Sequence, residues 1–290
     1  MTLRHFGCTG TVEPVQWSAA VKTLVSDDLW AAIEPLIPPP KPRRPDHPGR
    51  KPLDRRKVLS GIIYVLKTGI AWEDLPAELG LGCGKTCRTV LDEWQQAGVW
   101  DRLHRVLLAK LNGADRIDWS RAAIDSASAR SPLGGEATGP NPTDRRKLGT
   151  KHHAIVDGQG VPLATTTTGA NRHDSQELVP LLNALPGVAG KVGRPRRYPE
   201  RLYGDRAYDS EPLRGACDAR GIDPVLARRN TEHGSGLGAF RWPVERTLGW
   251  LHQFRRLGFR RDKLLRIHNA FVTLGSCLIT LRFLSQPIFS

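Results

Sequence analysis

The sequence has few acidic residues and few cysteines, and it has no long hydrophobic run. Lys and Arg number 43 against 29 Asp and Glu in 290 residues, so the formal net charge is +14 and the isoelectric point is near 10.1. This shortage of acid indicates a polyanionic partner, either nucleic acid or an anionic membrane surface. The hydrophobic fraction of 39% suits a soluble globular protein and excludes disorder throughout the chain.

The five cysteines are odd in number and scattered along the chain, which excludes a disulfide framework. Cys83 and Cys87 are separated by three residues, and no second Cys or His pair lies nearby to complete a zinc site. We therefore expect these two cysteines to be buried small residues.

The longest weakly polar run, residues 270–281, is shorter than the ~20 residues that cross a bilayer. The first ten residues lack the apolar core of a signal peptide. These absences favour nucleic acid over a membrane as the partner, and they predict a cytoplasmic protein.

The chain divides into two predicted domains. Residues 1–24 show no periodicity and are expected to form a disordered tail, whereas residues 25–115 are expected to form a small helical domain. Within that domain, residues 41–57 hold eight Lys or Arg and two acids among four prolines, which predicts a basic linker. The linker either is simply solvated or contacts a DNA backbone.

The outline of the helical domain resembles a helix-turn-helix motif, with three helices and a tight turn. Its last helix would present Lys85, Arg88 and either Gln95 or Gln96 to a DNA groove. Helical bundles also carry basic faces for solubility, so this pattern leaves both interpretations open.

Residues 116–290 begin with predicted strands and continue with alternating strands and helices. This order predicts an α/β domain with a mixed sheet flanked by helices. A polar loop rich in Gly and Pro, residues 130–147, follows the first strand and could border a binding site.

Asp205 follows the short apolar strand of "RLYGD", where a turn or helix N-cap is the ordinary role for aspartate. We expect Asp209 or Ser210 to cap the next helix, which leaves Asp205 without that role. Asp125 also lies in an apolar strand, and the two carboxylates converge if the strands pair. Close carboxylates require a positive partner, and oxygen ligands of this kind favour Mg²⁺ or Mn²⁺.

The third candidate acid is Glu245, in the predicted helix 241–257. Arg241, Glu245, Leu248 and His252 follow one face of this helix. The alternative is an intrahelical ion pair between Arg241 and Glu245 on a solvated surface. Most of the helix circumference is apolar, which makes a fully solvated Glu245 less favourable.

Several ordered motifs resemble the DDE transposases of bacterial insertion sequences, in particular the insertion-sequence-five family. The catalytic-region motifs are "AIDSASARSPLGGEATGPNPTDRRKLGTKHHAIVDGQGVPL", "TGANRHDS", "LYGDRAYDS" and "VERTLGWLHQFRRL". The motifs of the N-terminal helical region are "RKPLDRRKVLSGIIYVLKTGIAWEDLP" and "RTVLDEWQQAGVW". The resemblance implies an RNase H-like fold in which Asp125, Asp205 and Glu245 form the catalytic, metal-binding triad and Arg241 is the arginine that precedes the glutamate.

Two positions differ from the broader signature of these enzymes. Gly238 replaces a tyrosine whose hydroxyl would contact phosphate, and His252 replaces a lysine, so the cation there would titrate near neutrality. His173 and Asp174 follow the third strand, where they could support the site or have only a structural role.

The resemblance implies a transposase that binds the terminal inverted repeats of its element, cuts there and joins the ends to target DNA. Two Mg²⁺ or Mn²⁺ ions would be the cofactors, and a homodimer on double-stranded DNA would be the acting form. The alternatives are a metal-dependent nuclease of the same fold and an inactive DNA-binding regulator. Basic residues expected to contact DNA, unless they form only a solvated face, are Arg241, His252, Arg255, Arg256, Arg196, Arg197, Lys85 and Arg88, with Arg194, Arg260 and Arg261 beside them.

Overall fold

The computed structural model describes residues 24–40, 46, 52–229 and 238–285. The predicted tail up to residue 23, most of the predicted linker 41–57 and the glycine-rich stretch 230–237 lie outside the described residues. The described ranges include all of the predicted α/β domain except that glycine-rich stretch and the last five residues.

The N-terminal region is helical, as the sequence predicts. Its helices are α1 (Asp27–Ile33), α2 (Arg55–Thr68), α3 (Gly84–Gln96) and α4 (Val99–Gly113). The Asp54 side chain accepts a hydrogen bond from the Lys57 amide and caps α2, which then ends at Gly69 in a left-handed conformation. Gly98, also left-handed, separates α3 from α4. A capping aspartate and two glycines in left-handed conformations therefore mark the boundaries of these helices.

A six-stranded mixed sheet follows. Its strands are β1 (Ala122–Arg130), β2 (Gly139–Pro140), β3 (Leu148–Asp157), β4 (Pro162–Gly169), β5 (Arg201–Gly204) and β6 (Asp223–Leu226). Strand β3 pairs antiparallel with β1 on one side and with β4 and the short β2 on the other, whereas β5 pairs parallel with both β1 and β6. Three antiparallel strands followed by two parallel ones form the RNase H-like sheet, and this confirms the predicted fold class.

Five helices flank the sheet: α5 (Leu178–Ala184), α6 (Glu211–Asp218), α7 (Gly238–Gln253), the single turn α8 (Arg255–Gly258) and α9 (Leu265–Ser285). Helix α7 starts three residues earlier than the predicted helix and stops at Gln253. Pro243 lies in the second turn of α7, where its missing N–H removes one intrahelical hydrogen bond.

The helical region and the sheet share a hydrophobic core. Leu59 of α2 and Leu107 of α4 belong to the same buried cluster as Ala123 of β1, Leu248 of α7 and Phe271 of α9. A second cluster fills the opposite side of the sheet, between the strands and helices α5 and α6. The division into domains 25–115 and 116–290 stays a prediction, but the two regions are packed as one unit around the first cluster.

Helix α9 explains the apolar run near the C-terminus. The run 270–281 is part of a 21-residue helix that is long and apolar enough to cross a membrane by length and composition alone. Core helices of soluble proteins pass the same test, and most of this helix is buried inside the protein. Its apolar composition is accounted for by contact with α4, α7 and the sheet.

Candidate active site

The first two predicted acids are positioned by two adjacent strands, β1 and β5. Ala122 and Ala123 of β1 pair in parallel with Leu202 and Tyr203 of β5. Two residues beyond this pairing come Asp125 and Asp205, which are close enough for the charge of Asp205 to raise the pKa of the Asp125 carboxyl. Asp125 lies inside β1, which continues to Arg130, whereas Asp205 is the first residue after β5. The parallel pairing thus brings together two acids that are 80 residues apart.

Asp205 caps a short helical turn, although the sequence predicted no capping role for it. Its side chain accepts a hydrogen bond of 2.9 Å from the Ala207 amide and caps a single 3-10 turn, Arg206–Tyr208. The expected caps are absent at the next helix: Ser210 makes no side-chain cap bond, and the Asp209 carboxylate instead contacts Arg214 and the Arg229 amide. The local role of Asp205 and a role in the site are compatible, because one carboxylate oxygen suffices for the cap.

Asp125 is neutralised by an arginine. Arg241 Nη2 of α7 lies 2.6 Å from Asp125 Oδ2, and both side chains are about four-fifths buried. Burial raises the pKa of the Asp125 carboxyl, while the Ser126 amide and Arg241 oppose that rise. For Arg241, burial lowers the pKa but the carboxylates of Asp125, Asp205 and Glu245 raise it, and the net shift is upward.

Glu245 joins this group through the same guanidinium. Its Oε1 lies 3.4 Å from Arg241 Nη2, one turn away on α7, and its side chain is 53% exposed. The intrahelical ion pair considered as the alternative therefore exists, and Glu245 is more solvated than the apolar circumference of the helix suggested.

The three carboxylates are the type of ligand that a divalent cation prefers, but their side chains do not converge on one point. Oxygen donors from two aspartates and a glutamate are what Mg²⁺ and Mn²⁺ prefer. Among the described residues, however, no three His, Cys, Asp or Glu side chains converge as a metal-binding group. The positive partner that the paired acids require is supplied here by Arg241, so a metal that used Asp125 together with Glu245 would require this guanidinium to move.

Two further groups lie beside the aspartates: Tyr208, which the sequence analysis did not consider, and Asp174, whose role it left open. The Tyr208 hydroxyl is buried without a hydrogen-bond partner, and burial together with the charges of Asp174, Asp125 and Asp205 raises its pKa well above the ordinary value. Asp174 accepts hydrogen bonds from Ser126 Oγ at 2.9 Å and Lys151 Nζ at 2.8 Å. A tyrosine three residues after Asp205 is the local signal that could have indicated the first of these groups.

His252 does not present a free cation. Its Nε2 lies 2.9 Å from His152 Nδ1, and His152 Nε2 lies 2.8 Å from His268 Nε2. Burial lowers the pKa of His252, and it lowers those of His152 and His268 further with help from neighbouring positive charge. Burial and these contacts disfavour an imidazolium at position 252, whose ring lies at one end of a chain of three histidines. His252 stays a prediction as a DNA contact.

Arg256 was expected to contact DNA and is instead buried. Its side chain is 3% exposed and makes two hydrogen bonds of 2.7 Å to Asp262, and a third reaches the Ile70 carbonyl. Arg260 is also fully buried and donates to the carbonyl groups of Glu136 and Asp262. Both predictions are wrong because in each case the guanidinium satisfies buried polar groups of its own chain.

The other predicted DNA contacts remain on the surface. Lys85 and Arg88 in the first two turns of α3 and Arg255 of α8 are exposed. Arg196 and Arg197 are also exposed, but Arg196 forms an ion pair with Glu200 and Arg197 donates to the carbonyl groups of Leu185 and Asn183. These five residues stay predictions as DNA contacts.

Two family descriptions match the chain. Residues 118–281 match the family described as "Transposase DDE domain", and residues 25–104 match the family described as "Putative transposase of IS4/5 family". Together they cover the sheet, its flanking helices and most of the N-terminal helical region.

Two proteins of Burkholderia cepacia are similar in sequence. The chain is 50% identical over 183 residues to "Putative transposase for insertion sequence element IS402", which covers 62% of this chain and 86% of that protein. It is 58% identical over 121 residues to "Insertion element IS402 uncharacterized 16.2 kDa protein", over 42% of this chain and 82% of that protein. Among solved structures, the Mos1 strand transfer complex matches over 81% of this chain and 78% of that chain. The TM-score is 0.31 and the sequence identity is 11%, so the structural similarity is low. The family matches and the IS402 relative show that the chain belongs to the DDE-domain transposases of the IS4/5 family.

Proposed function

We propose that the protein is a DNA transposase that cuts at the terminal inverted repeats of its element and joins the ends to target DNA. The observation that supports this proposal is the contact of Arg241 with both Asp125 and Glu245, at the end of the parallel pairing of β1 and β5 that Asp205 follows. In a member of the DDE transposase family, Asp125, Asp205 and Glu245 would be the two aspartates and the glutamate that act on a phosphodiester.

The reaction class is nucleophilic substitution at phosphorus. In cutting, an oxygen of water forms a bond to phosphorus while the bond from phosphorus to the 3′-oxygen breaks, which frees a 3′-hydroxyl. In joining, that hydroxyl attacks a phosphodiester of the target and releases a target 3′-hydroxyl. Both steps need a proton removed from the nucleophile and negative charge stabilised on the leaving oxygen.

Asp125, Asp205 and Glu245 would hold the divalent cations, which when bound would activate the nucleophile and stabilise the leaving oxygen. Arg241 would leave Asp125 and contact a phosphate oxygen, since its guanidinium already lies among the acidic side chains. Asp205 keeps its bond to the Ala207 amide, which fixes the orientation of its carboxylate.

The test is a cutting and joining assay on labelled duplex DNA that carries the element end, with Mg²⁺ or Mn²⁺ added. We expect the wild-type chain to cut at the end of the repeat, and Asp125→Asn, Asp205→Asn and Glu245→Gln to lose at least a hundredfold in rate. Glu211→Gln, at an exposed acid in the first turn of α6, is the matched control and should cut like wild type.

The other two interpretations predict different results in this assay. Cutting of any duplex without preference for the element end would identify a nuclease. Binding to the end by a well-folded wild-type chain without cutting in either metal would identify a regulator. The predicted homodimer would be seen as a doubled mass on DNA by mass photometry, and the cytoplasmic location stays a prediction.

A further inference from the structure

A large cleft lies between the helical region and the segment that joins α8 to α9. It has a volume of about 1090 Å³, and its walls come from residues 71–88 on one side and 256–267 on the other. Leu53 and Leu133 also line it and are 44% and 52% exposed. Its inner surface is mainly apolar, so a ligand there would meet aliphatic side chains as well as charge.

The rim of the cleft is cationic, and its charges come from two distant parts of the chain. Lys85 and Arg88 of α3 face Arg261 and Lys263 of the joining segment, and all four are exposed. The lining acids are Glu73, which is exposed, and Asp262, which is already paired with buried Arg256. The charge surplus predicts an anionic ligand large enough to reach both walls.

Two polar contacts join the walls of the cleft. Arg256 bonds both Asp262 and the Ile70 carbonyl, and Arg266 at the start of α9 forms a pair with Asp92 of α3 at 2.7 Å. These contacts connect the helical region to the segment that joins α8 to α9 on both sides of the cleft.

The cleft lies close to the proposed active site along β1. Asp125 and Arg130 are five residues apart on this strand, roughly 17 Å at about 3.3 Å per residue. Arg130 is bridged to Phe259, next to the joining segment, and Leu133 of the cleft follows three residues later. One turn of B-DNA spans about 34 Å. A duplex whose scissile phosphate lies at Asp125 could therefore reach the cleft within one turn.

We propose that this cleft binds the sugar-phosphate backbone of the duplex that enters the active site, with phosphates on the four rim cations and deoxyribose faces against the apolar lining. The inference rests on the proposed function and deepens it. DNA contact then belongs to a composite surface and not to the helical region alone, although Lys85 and Arg88 are part of that region.

Salt-dependent binding tests the composite surface without any cutting. The probe is a mixed-sequence duplex of about 24 base pairs, two turns in length, measured by fluorescence anisotropy over a range of KCl concentrations. Each lost phosphate contact should lower the salt slope by ~0.9. We expect Lys85→Gln/Arg88→Gln and Arg261→Gln/Lys263→Gln each to lower it by roughly 2.

The matched control removes the same charge outside the cleft. Arg105→Gln/Lys110→Gln alters two exposed cations of α4 and should keep the wild-type slope. Equal slopes for the cleft variants and this control would overturn the proposal. The binding assay needs no catalysis, so it tests the cleft separately from the proposed function. If Asp205→Asn loses cutting while both cleft double variants keep the wild-type salt slope, the proposed function is supported and only the cleft proposal is wrong.

A second readout uses Cys83, which lines the cleft and is exposed, whereas Cys87, Cys217 and Cys277 are buried. In a Cys8→Ser background, the 24-base-pair duplex should slow alkylation of Cys83 by a charged maleimide at least fivefold. A cysteine placed at Lys110→Cys on α4 should stay reactive. Equal reactivity of Cys83 with and without saturating duplex would contradict occupation of the cleft.

Discussion

Arg241 and Asp125 are 116 residues apart in sequence, and their side chains meet at 2.6 Å. The guanidinium also lies 3.4 Å from Glu245, so one arginine bridges two of the three proposed catalytic acids. Arg241 therefore supplies positive charge to two of the carboxylates that are proposed to hold a divalent cation.

This bridge predicts competition between Arg241 and divalent metal. In the absence of DNA, Arg241→Gln should bind Mn²⁺ roughly three- to tenfold more tightly than wild type. The substitution removes the electrostatic repulsion between the guanidinium and the metal ion, which is worth about 1 kcal/mol. Electron paramagnetic resonance of free Mn²⁺ measures the affinity directly. Arg246→Gln is the control, since that arginine lies on the same helix but stacks on Trp242 and Trp250. Weaker binding of Mn²⁺ by Arg241→Gln would show that the arginine instead organises the site.

The two roles of Asp205 can be separated by substitution. Asp205→Asn keeps a side-chain oxygen for the Ala207 amide but loses the charge, so it should melt close to wild type and lose cutting. Asp205→Ala loses the cap as well and should be less stable by about 1 kcal/mol. Thermal melts beside the cutting assay give both quantities. A large stability loss in Asp205→Asn would mean that the charge itself is structural.

The three contacting histidines, His152, His252 and His268, predict a stability loss in mild acid. Because burial lowers the pKa of His152, His252 and His268 in the folded chain, protons bind the unfolded chain preferentially below its histidine pKa of about 6.5. The histidine contribution is thus fully present above that pH and declines as the pH falls from about 6.5 toward 5, by up to ~1.4 kcal/mol per pH unit for each ring.

His152→Gln should flatten this decline relative to wild type, since one ring and its coupling to two others are removed. Burial raises the pKa of Asp157 to about 7, which acts in the opposite direction, so the comparison must be between variants and not with a flat baseline. Urea unfolding at pH 5 and pH 7.5 measures it. The same pH dependence in both proteins would place the titrating groups elsewhere.

Arg256 is predicted to support the fold. Arg256→Met leaves the Asp262 carboxylate buried without its partner and should cost about 3–5 kcal/mol of unfolding free energy. Arg255→Met, at the exposed neighbour, should stay within ~0.5 kcal/mol of wild type. Arg256→Met/Asp262→Leu should recover part of the loss. Urea unfolding of these three variants measures the free energy of unfolding. Wild-type stability of Arg256→Met would contradict a structural role for Arg256.

The shared core predicts that the α/β region does not fold alone. A fragment of residues 116–290 would expose the side of α9 that packs on α3 and α4, including Phe271, which stacks on Trp72. We expect it to be insoluble or to lack cooperative unfolding by circular dichroism. A monomeric fragment with a sharp melting transition would instead support two independent domains.

Periodicity and residue type in the sequence determined the element order. The strand patterns around Asp125 and Asp205 were sufficient to predict the mixed sheet, and the helical pattern was sufficient to predict the helical N-terminal region. The excess of Lys and Arg predicted a polyanionic partner but could not distinguish exposed Arg255 from buried Arg256, because adjacent arginines look alike until their surroundings are known.

Only the tertiary structure decided which charges meet. Parallel pairing of β1 with β5 brought Asp125 to Asp205, and the packing of α7 on β1 carried Arg241 to Asp125. His152, His252 and His268 came together from a strand and two helices. Local spacing fixes how residues are arranged along one helix or strand, whereas contacts between elements depend on which apolar faces are buried against each other. That burial is a property of the whole chain.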